Sequence, residues 1–491
     1  MIGADLFLTR GRQIRAQRLS VRQVSLASVS LVLLLISGCA SFSTDGGFAP
    51  VSTIARERLG QELAWGRTDA DRETIAKRVA ELLAKPLSVD DAVQVALLNN
   101  RGLQAAFAEL SISEADLVQA GRLPNPHFSM LRASKAENGI REFKIEQALT
   151  FNIFSLVTMP LRTGIEQRRF EQTQRSVGLE MLRLASETRK AYYVAVAAQE
   201  SVRYAQQVLQ AADAGAELAR RMAQVGNWSK LQQAREQGFY ADAALKRATA
   251  EQSAVMARER LIRMMGVWSQ QTTFELPPRL PDLPNAATDR PDVEQMAIAQ
   301  RLDLQNVRAQ VETLAKNLGL TKTTRFINVL EIGPARVLEG ARDSGYKKGY
   351  EVSFELPLFD WGGARVARAE AQYMQAIDLA AEAAINARSE VRQAYHGYRS
   401  SYELARHYRD EVVPIRKRIS DENLLRYNGM LIGVFELLAD ARSQITSVNS
   451  YIEALRDFWI AQADLEMSLI GKPNISAISA TASEPAAAAG H

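Results

Sequence analysis

The sequence has almost no cysteine: one, Cys39, in 491 residues. It can build neither an intrachain disulfide framework nor a cysteine-rich zinc site. Histidine is nearly as scarce. His127, His396, His407 and His491 are scattered, which argues against a metal centre built on imidazole. Aromatic residues make up only 7%. Mean hydropathy is −0.17, which excludes a polytopic helical membrane protein. The sequence also lacks a G-x-S-x-G elbow, a P-loop, an H-E-x-x-H helix and a histidine paired with a nucleophile. No catalytic residue, metal ligand or cofactor is therefore assigned, and the chain is not read as an enzyme. What is present, 47% apolar and 24% charged residues, excludes a disordered or collagen-like chain. The formal charge of +4 comes from Arg10, Arg12, Arg15, Arg18 and Arg22, set against Asp5 alone in the first 38 residues. Without that stretch acids and bases are equal in number, so the charge is no sign of nucleic-acid binding.

Residues 1–38 read as an export signal. The five arginines precede an apolar run, Val24 to Ile36, that is too short to span a bilayer well. The run ends in Ile36-Ser37-Gly38-Cys39, which resembles a bacterial lipobox, with Cys39 the lipidated residue. Ala40 follows, not the Asp that retains lipoproteins at the inner membrane, so this resemblance implies an outer-membrane destination. Residues 40–50 are rich in Ser, Gly and Thr and read as a tether.

The rest of the chain is written twice. Leu103-Gln104 recurs as Leu304-Gln305, and Gln224 to Asn227 as Arg426 to Gly429. Met265-Gly266 recurs as Ile470-Gly471, and Ile145 to Phe151 as Val352 to Leu358. The matches fall in one order at nearly one offset, so residues 87–266 and 292–471 are two copies of one unit. Each reads helix, strand, strand, long helix, tip, helix. Ser88 is an N-cap candidate for a helix reaching about Gln119; its counterpart runs from Pro291 to about Leu318.

After Pro126 the period changes to two. Phe143, Ile145, Leu149 and Phe151 alternate with Lys144, Glu146, Ala148 and Thr150, behind an Asn138-Gly139 turn signal. Tyr350, Val352, Phe354, Leu356 and Leu358 alternate with Glu351, Ser353, Glu355 and Pro357. The partner of this second strand lies in Arg325 to Val337, where alternation is poor. Such strands fit either a soluble sheet packed on a core or the staves of a membrane barrel. Four per chain cannot close a barrel, since about eight are the minimum. A barrel would then need several chains, and a cyclic trimer would supply twelve strands.

From Leu161 to about Val225 there is no proline. Fourteen positions from Val177 to Ala223, spaced 4,3,4,3, are apolar apart from Thr188, and eight of them are alanine. This is a coiled-coil seam that allows close helix approach. Tyr373, Ala376, Ala380, Ala383 and Ala387 repeat it. The helices turn back at Gly226-Asn227 and Asn428-Gly429.

These residues resemble the TolC-like family of outer-membrane efflux proteins, in its lipoprotein subgroup. Leu87 to Asn100 with Leu103 is similar to the family's first helix. Ala120-Gly121 with Pro124-Asn125-Pro126 is similar to its entry into the first strand, and Leu356 to Gly363 to its exit from the fourth. The likeness covers about residues 85–472. It implies a mainly α chain with membrane β: long antiparallel coiled-coil hairpins plus two β-hairpins. Three chains would form a 12-stranded outer-membrane barrel and an α-helical periplasmic tunnel.

The domains expected are a signal peptide (1–38), a lipidated tether and equatorial segment (39–86) and a first repeat (87–275). A Pro-rich linker (276–291), a second repeat (292–472) and a disordered tail (473–491) follow. The implied function is passive conduction to the exterior of heavy-metal ions or drugs. These would arrive from a periplasmic adaptor and an inner-membrane pump of the RND type. The adaptor would meet the tips, at Gly226, Asn227, Trp228, Ser229, Asn428 and Gly429. Tyr427, Glu436 and Asp440 are candidates for the pore constriction, and Glu351 and Glu355 for the lumen wall. The alternatives are a type I secretion duct and a lipid-anchored periplasmic coiled-coil adaptor or scaffold.

Overall fold

The computed structural model describes residues 41–137, 140–326, 329–340 and 344–474. The expected signal peptide, Cys39, the Asn138-Gly139 turn and residues 475–491 of the expected tail lie outside the described residues. Two helices come first, α1 (Phe48–Leu59) and α2 (Asp69–Leu83). One order of elements then occurs twice. The first pass is α3 (Val89–Asn99), α4 (Arg101–Ala120), β1 (His127–Glu137), β2 (Ile140–Asn152), α5 (Ile153–Gln224) and α6 (Lys230–Met265). The second is α7 (Val293–Gln300), α8 (Leu302–Thr323), β3 (Leu330–Gly340), β4 (Lys347–Phe354), α9 (Gly363–His407), α10 (Val413–Asn428) and α11 (Val434–Ile470).

The first helix of each repeat, expected to be continuous, is broken. Asn100 and Arg301, 201 residues apart, both take extended backbone between two helical segments. At the first break Asn99 and Asn100 donate from Nδ2 to the carbonyls of Gly266 and Met264, at 2.7 and 3.0 Å. Asn100 Oδ1 accepts from Leu103 N–H and so starts α4. Gly266 ends α6 in the left-handed region (φ 66°), and a Cβ there would lie 2.9 Å from Asn100 Cα. At the second break Arg301, 2% exposed, pairs with Asp303 and Glu390 at 2.7 and 2.8 Å. At the first break a side chain thus takes up a helical N–H that lost its partner, and at the second a buried guanidinium is neutralised by two carboxylates.

Helix α5 starts earlier than Leu161, at Ile153, and takes Pro160 into its interior. Its counterpart is not one helix. A five-residue π segment, Tyr408–Val412, separates α9 from α10, with Pro414 just inside α10. Proline has no N–H to donate and crowds the preceding turn, and widening that turn relieves both.

The chain divides into two compact units. One contains Leu110–Glu171 and Val311–Gln375 and holds the sheet; it also takes in residues 41–47. Ser43 N–H bonds Glu114 Oε1 at 2.7 Å, and Gly46 and Gly47 are buried, so the stretch read as a tether is held from Ser43 onward. The other unit, whose described residues are 48–109, 172–310 and 376–474, is helical. Within it residues 172–224 of α5 extend about 80 Å at about 1.5 Å per residue. None of the fourteen seam positions is exposed, and Met181, Thr188, Ala191 and Ala219 are at most 1% exposed.

The core of this unit gathers Leu87, Val95, Tyr192, Val196, Leu261, Met265, Tyr398, Tyr402 and Phe458. It also takes in the segment expected to be a linker. Leu276, Leu280 and Leu283 are buried there. Tyr402 Oη donates to the Asn285 carbonyl at 2.8 Å, and Trp459 Nε1 to that of Pro281 at 3.1 Å. Five prolines remove N–H donors from this segment, Tyr402 and Trp459 cap carbonyls in it, and Tyr398 Oη accepts from Thr288 N–H.

Candidate functional site

Among the described residues four strands form one antiparallel sheet in the order β1-β2-β3-β4, so the two hairpins meet along β2 and β3 and both outer edges are unpaired there. The register sorts side chains onto two faces. Phe128 pairs with Leu149, Phe151 with Ile332, Ile332 with Val352 and Leu330 with Phe354, all on one face. On the other face Glu146, Glu331, Glu339 and Glu351 keep company with Ser129, Lys144, Thr150 and Ser353. Among the described residues every carboxylate of the sheet lies on this polar face. No described residue covers the apolar face: Phe128 is 61% exposed, Phe354 59% and Tyr350 81%. A soluble sheet buries such a face, whereas a membrane stave turns it to lipid.

The third strand contains Pro334 and still pairs on both sides. Its ladder with β2 has no pair at Gly333 or Pro334. Proline offers no N–H to a ladder. Gly333 has no room for a side chain: a Cβ there would overlap the Leu149 carbonyl and come within 2.7 Å of Thr150 Cα. Strand β4 begins at Lys347 and ends at Phe354. Glu351 therefore stands opposite Gly333 on the polar face, as expected. Glu355 does not: it is exposed just beyond the strand, because pairing stops before Pro357.

The tips of the helical unit differ. In the first, Gly226 takes the left-handed region (φ 78°), and Asn227 and Trp228 N–H bond back to the Met222 carbonyl. Ser229 then caps α6 in a reciprocal box with Gln232. Nearby, Glu217 accepts from Arg220 and Arg221, which hold its carboxyl down at about 2. In the second tip the left-handed residue is Met430 (φ 59°), not Gly429, whose φ is −79°. Met430 N–H bonds the Tyr427 carbonyl and Leu431 N–H that of Arg426, and this closure sets the left-handed position. Met430 and Leu431 are 94% and 77% exposed.

Of the constriction candidates, Tyr427 and Glu436 are exposed, whereas Asp440 of α11 accepts a short hydrogen bond from Asn423 Nδ2 of α10. Sequence reasoning missed a stronger tie. Glu236 of α6, 1% exposed, takes two bonds from Arg442 Nη2 of α11, at 2.6 and 2.7 Å. The Arg442 guanidinium also lies over the Phe239 ring at 4.3 Å. This pair links the returning helix of one repeat to that of the other. A lone Glu on α6 gave no signal, because its partner is 206 residues away. Among the described residues no helix is long and apolar enough to cross a membrane, and no cluster of His, Cys, Asp and Glu could hold a metal ion.

No family model matches the sequence. Solved structures match the fold along most of its length, and they define its class: it is the fold of the TolC-like outer-membrane channels, the family the sequence resembles. The Campylobacter jejuni CmeC outer membrane channel superposes with a TM-score of 0.64 at 16% identity, covering 88% of this chain and 92% of that one. The outer membrane protein VceC of Vibrio cholerae gives 0.65 at 14% identity, covering 78% and 95%. In sequence the chain is similar to the cobalt-zinc-cadmium resistance protein CzcC of Cupriavidus metallidurans. The two are 23% identical over 278 residues, 56% of this chain and 64% of that protein. The match thus spans less than two thirds of the relative's length.

Proposed function

We propose that the chain is one third of an outer-membrane efflux channel. One observation carries the reading: a four-stranded antiparallel sheet with an uncovered apolar face, a polar face holding its carboxylates, and two unpaired edges. Four strands cannot close, and an unpaired edge seeks another strand. Three copies joined β4 to β1 make twelve strands, with lipid outside and Glu351 and its neighbours around a wet lumen. Cys39 carries the lipid that anchors the chain to the outer membrane. The long helices extend the duct through the periplasm, in agreement with the small residues of their seams. The tips, Gly226 to Ser229 and Asn428 to Leu431, meet a periplasmic adaptor coupled to an RND-type pump. Tyr427, Glu436 and Asp440 narrow the pore there.

Conduction is passive, and the pump supplies the energy. The likeness to CzcC favours divalent heavy-metal ions as cargo, and drugs are the other class to test. Single-channel recording of the purified mature protein in planar bilayers tests the reading. Stable ion conductance is expected. A Cys39→Ser form that needs no detergent and never conducts would contradict it and leave a tethered coiled-coil scaffold. Deleting the chain in its host and measuring growth on zinc, cobalt, cadmium and drugs then separates the cargo classes.

A further inference from the structure

The apolar face of the sheet is not uniformly apolar. Among its described residues it has no carboxylate, but it carries three cations, Arg132, Arg336 and Lys348, all exposed. Arg336 pairs in register with Lys348, and on its other side with Gln147, whose Oε1 accepts from Arg336 Nε at 2.6 Å. Arg132 is one row further toward the hairpin turns, opposite Ile145. The cations therefore form a band near the hairpin end of the sheet, and the apolar rows lie between this band and the helices. The sheet's acids could have neutralised the band and do not, because all stand on the opposite face.

On the channel reading, on which this inference rests, this face meets lipid. A cation there is costly at the bilayer midplane and nearly free at the interface. From Lys348 to Leu356 is eight residues. The strand itself ends at Phe354, so this is at most about 27 Å of chain, or about 20 Å of height at a tilt of about 40°, within the roughly 25 Å apolar band of a membrane barrel. With the helices in the periplasm, the band falls at the headgroups of the outer leaflet. Tyr346, its ring 5.0 Å from the Arg336 guanidinium, is an aromatic of the kind that settles at that depth. Arg132 and Lys348 stand on the two edge strands, so each seam between chains would bring one of each together.

We propose that Arg132, Arg336 and Lys348 form a binding site, repeated three times around the barrel, for phosphate-bearing lipid headgroups of the outer leaflet. Guanidinium forks suit phosphate because two N–H groups meet two oxygens. With Nε on Gln147, Arg336 still offers its Nη groups.

The probe is diphosphoryl lipid A added to the purified full-length trimer in detergent, with bound lipid counted by native mass spectrometry. The comparison lipid is phosphatidylcholine, and conductance is recorded on the same preparations. Wild type should retain lipid A over phosphatidylcholine by about tenfold or more. Combining Arg132→Gln, Arg336→Gln and Lys348→Gln should abolish that preference while trimer mass and conductance stay unchanged. Arg132→Lys with Arg336→Lys should keep most of it. Lys135→Gln, Lys144→Gln and Lys347→Gln remove equal charge from the polar face and should leave it intact. Inorganic phosphate in millimolar excess should not displace the lipid. A conducting trimer without lipid A preference overturns this proposal alone, as does a triple variant that binds like wild type or displacement by free phosphate. A chain that forms no conducting trimer overturns the channel reading and this proposal with it.

Discussion

Replacing Arg442 by alanine isolates the tie between the two returning helices. Glu236 is 1% exposed and takes both of its short bonds from Arg442, so the substitution leaves a buried carboxylate without its counter-charge. Breaking such a pair on one side costs about 3–5 kcal/mol. Arg442 keeps 28% of its side-chain surface, so the lower end applies. At about 1.4 kcal/mol per factor of ten, local opening near the tips should become about 100-fold more frequent. Amide hydrogen exchange resolves this directly. Exchange in residues 230–243 of α6 and 434–447 of α11 should accelerate by about that factor, and the core around Phe458 should stay protected. A double variant, Glu236→Leu with Arg442→Met, removes both charges and fills similar volume, and should exchange within about tenfold of wild type. Equal acceleration in the single and double variants would refute the reasoning. The loss would then come from packing, including the Phe239 contact, and not from an unpaired charge.

Other outcomes follow from the same structure. Gly333→Ala forces a Cβ against the Leu149 carbonyl where β2 meets β3. It should cost about 1–3 kcal/mol or more by overpacking and lower the yield of heat-resistant trimer, whereas Gly349→Ala, with open space, should not. Burial pushes the Glu200 carboxyl up, although it accepts from Leu280 N–H at 3.1 Å. A raised carboxyl holds its proton more tightly when folded. Its contribution therefore favours the fold at low pH and is lost as pH rises from the ordinary glutamate value through the folded one. Glu200→Gln keeps an acceptor for Leu280, so it should leave Tm at neutral pH equal or higher and flatten the slope of Tm just above the ordinary glutamate value. Gly266→Ala meets both a left-handed backbone and the Asn99–Asn100 chain, and should reduce folding yield more than Gly319→Ala, which has open space.

Period-two alternation in Phe143–Phe151 and Tyr350–Phe354 made the second strand of each hairpin legible, because each strand exposes one apolar face. The third strand was less legible: Gly333 and Pro334 disturb the alternation where the ladder also skips. The seam from Val177 to Ala223 was readable because a heptad repeat needs no knowledge of its partner. The breaks at Asn100 and Arg301 were not, since their partners, Gly266 and Glu390, are distant in sequence. Prolines marked Leu276 to Pro291 as irregular backbone between the repeats, but its burial was signalled only by the leucines among them. The glycines marked both tips, but the left-handed residue of the second tip is Met430, which the hydrogen bonding there places. The cation band could have been found by sorting charges on strand parity. Arg132, Arg336 and Lys348 are the exceptions on an otherwise uncharged set of described side chains.

The central claim is that three chains share one barrel, and the mass of the particle tests it most directly. The mature protein, extracted from outer membranes in mild detergent, would be measured by light scattering with the detergent contribution subtracted. The expected protein mass is three times that of the mature chain, in a particle that dissociates only under conditions that also unfold the sheet. A monomer with its sheet intact would contradict it, because the edges of β1 and β4 and the face bearing Tyr350 would then stand uncovered.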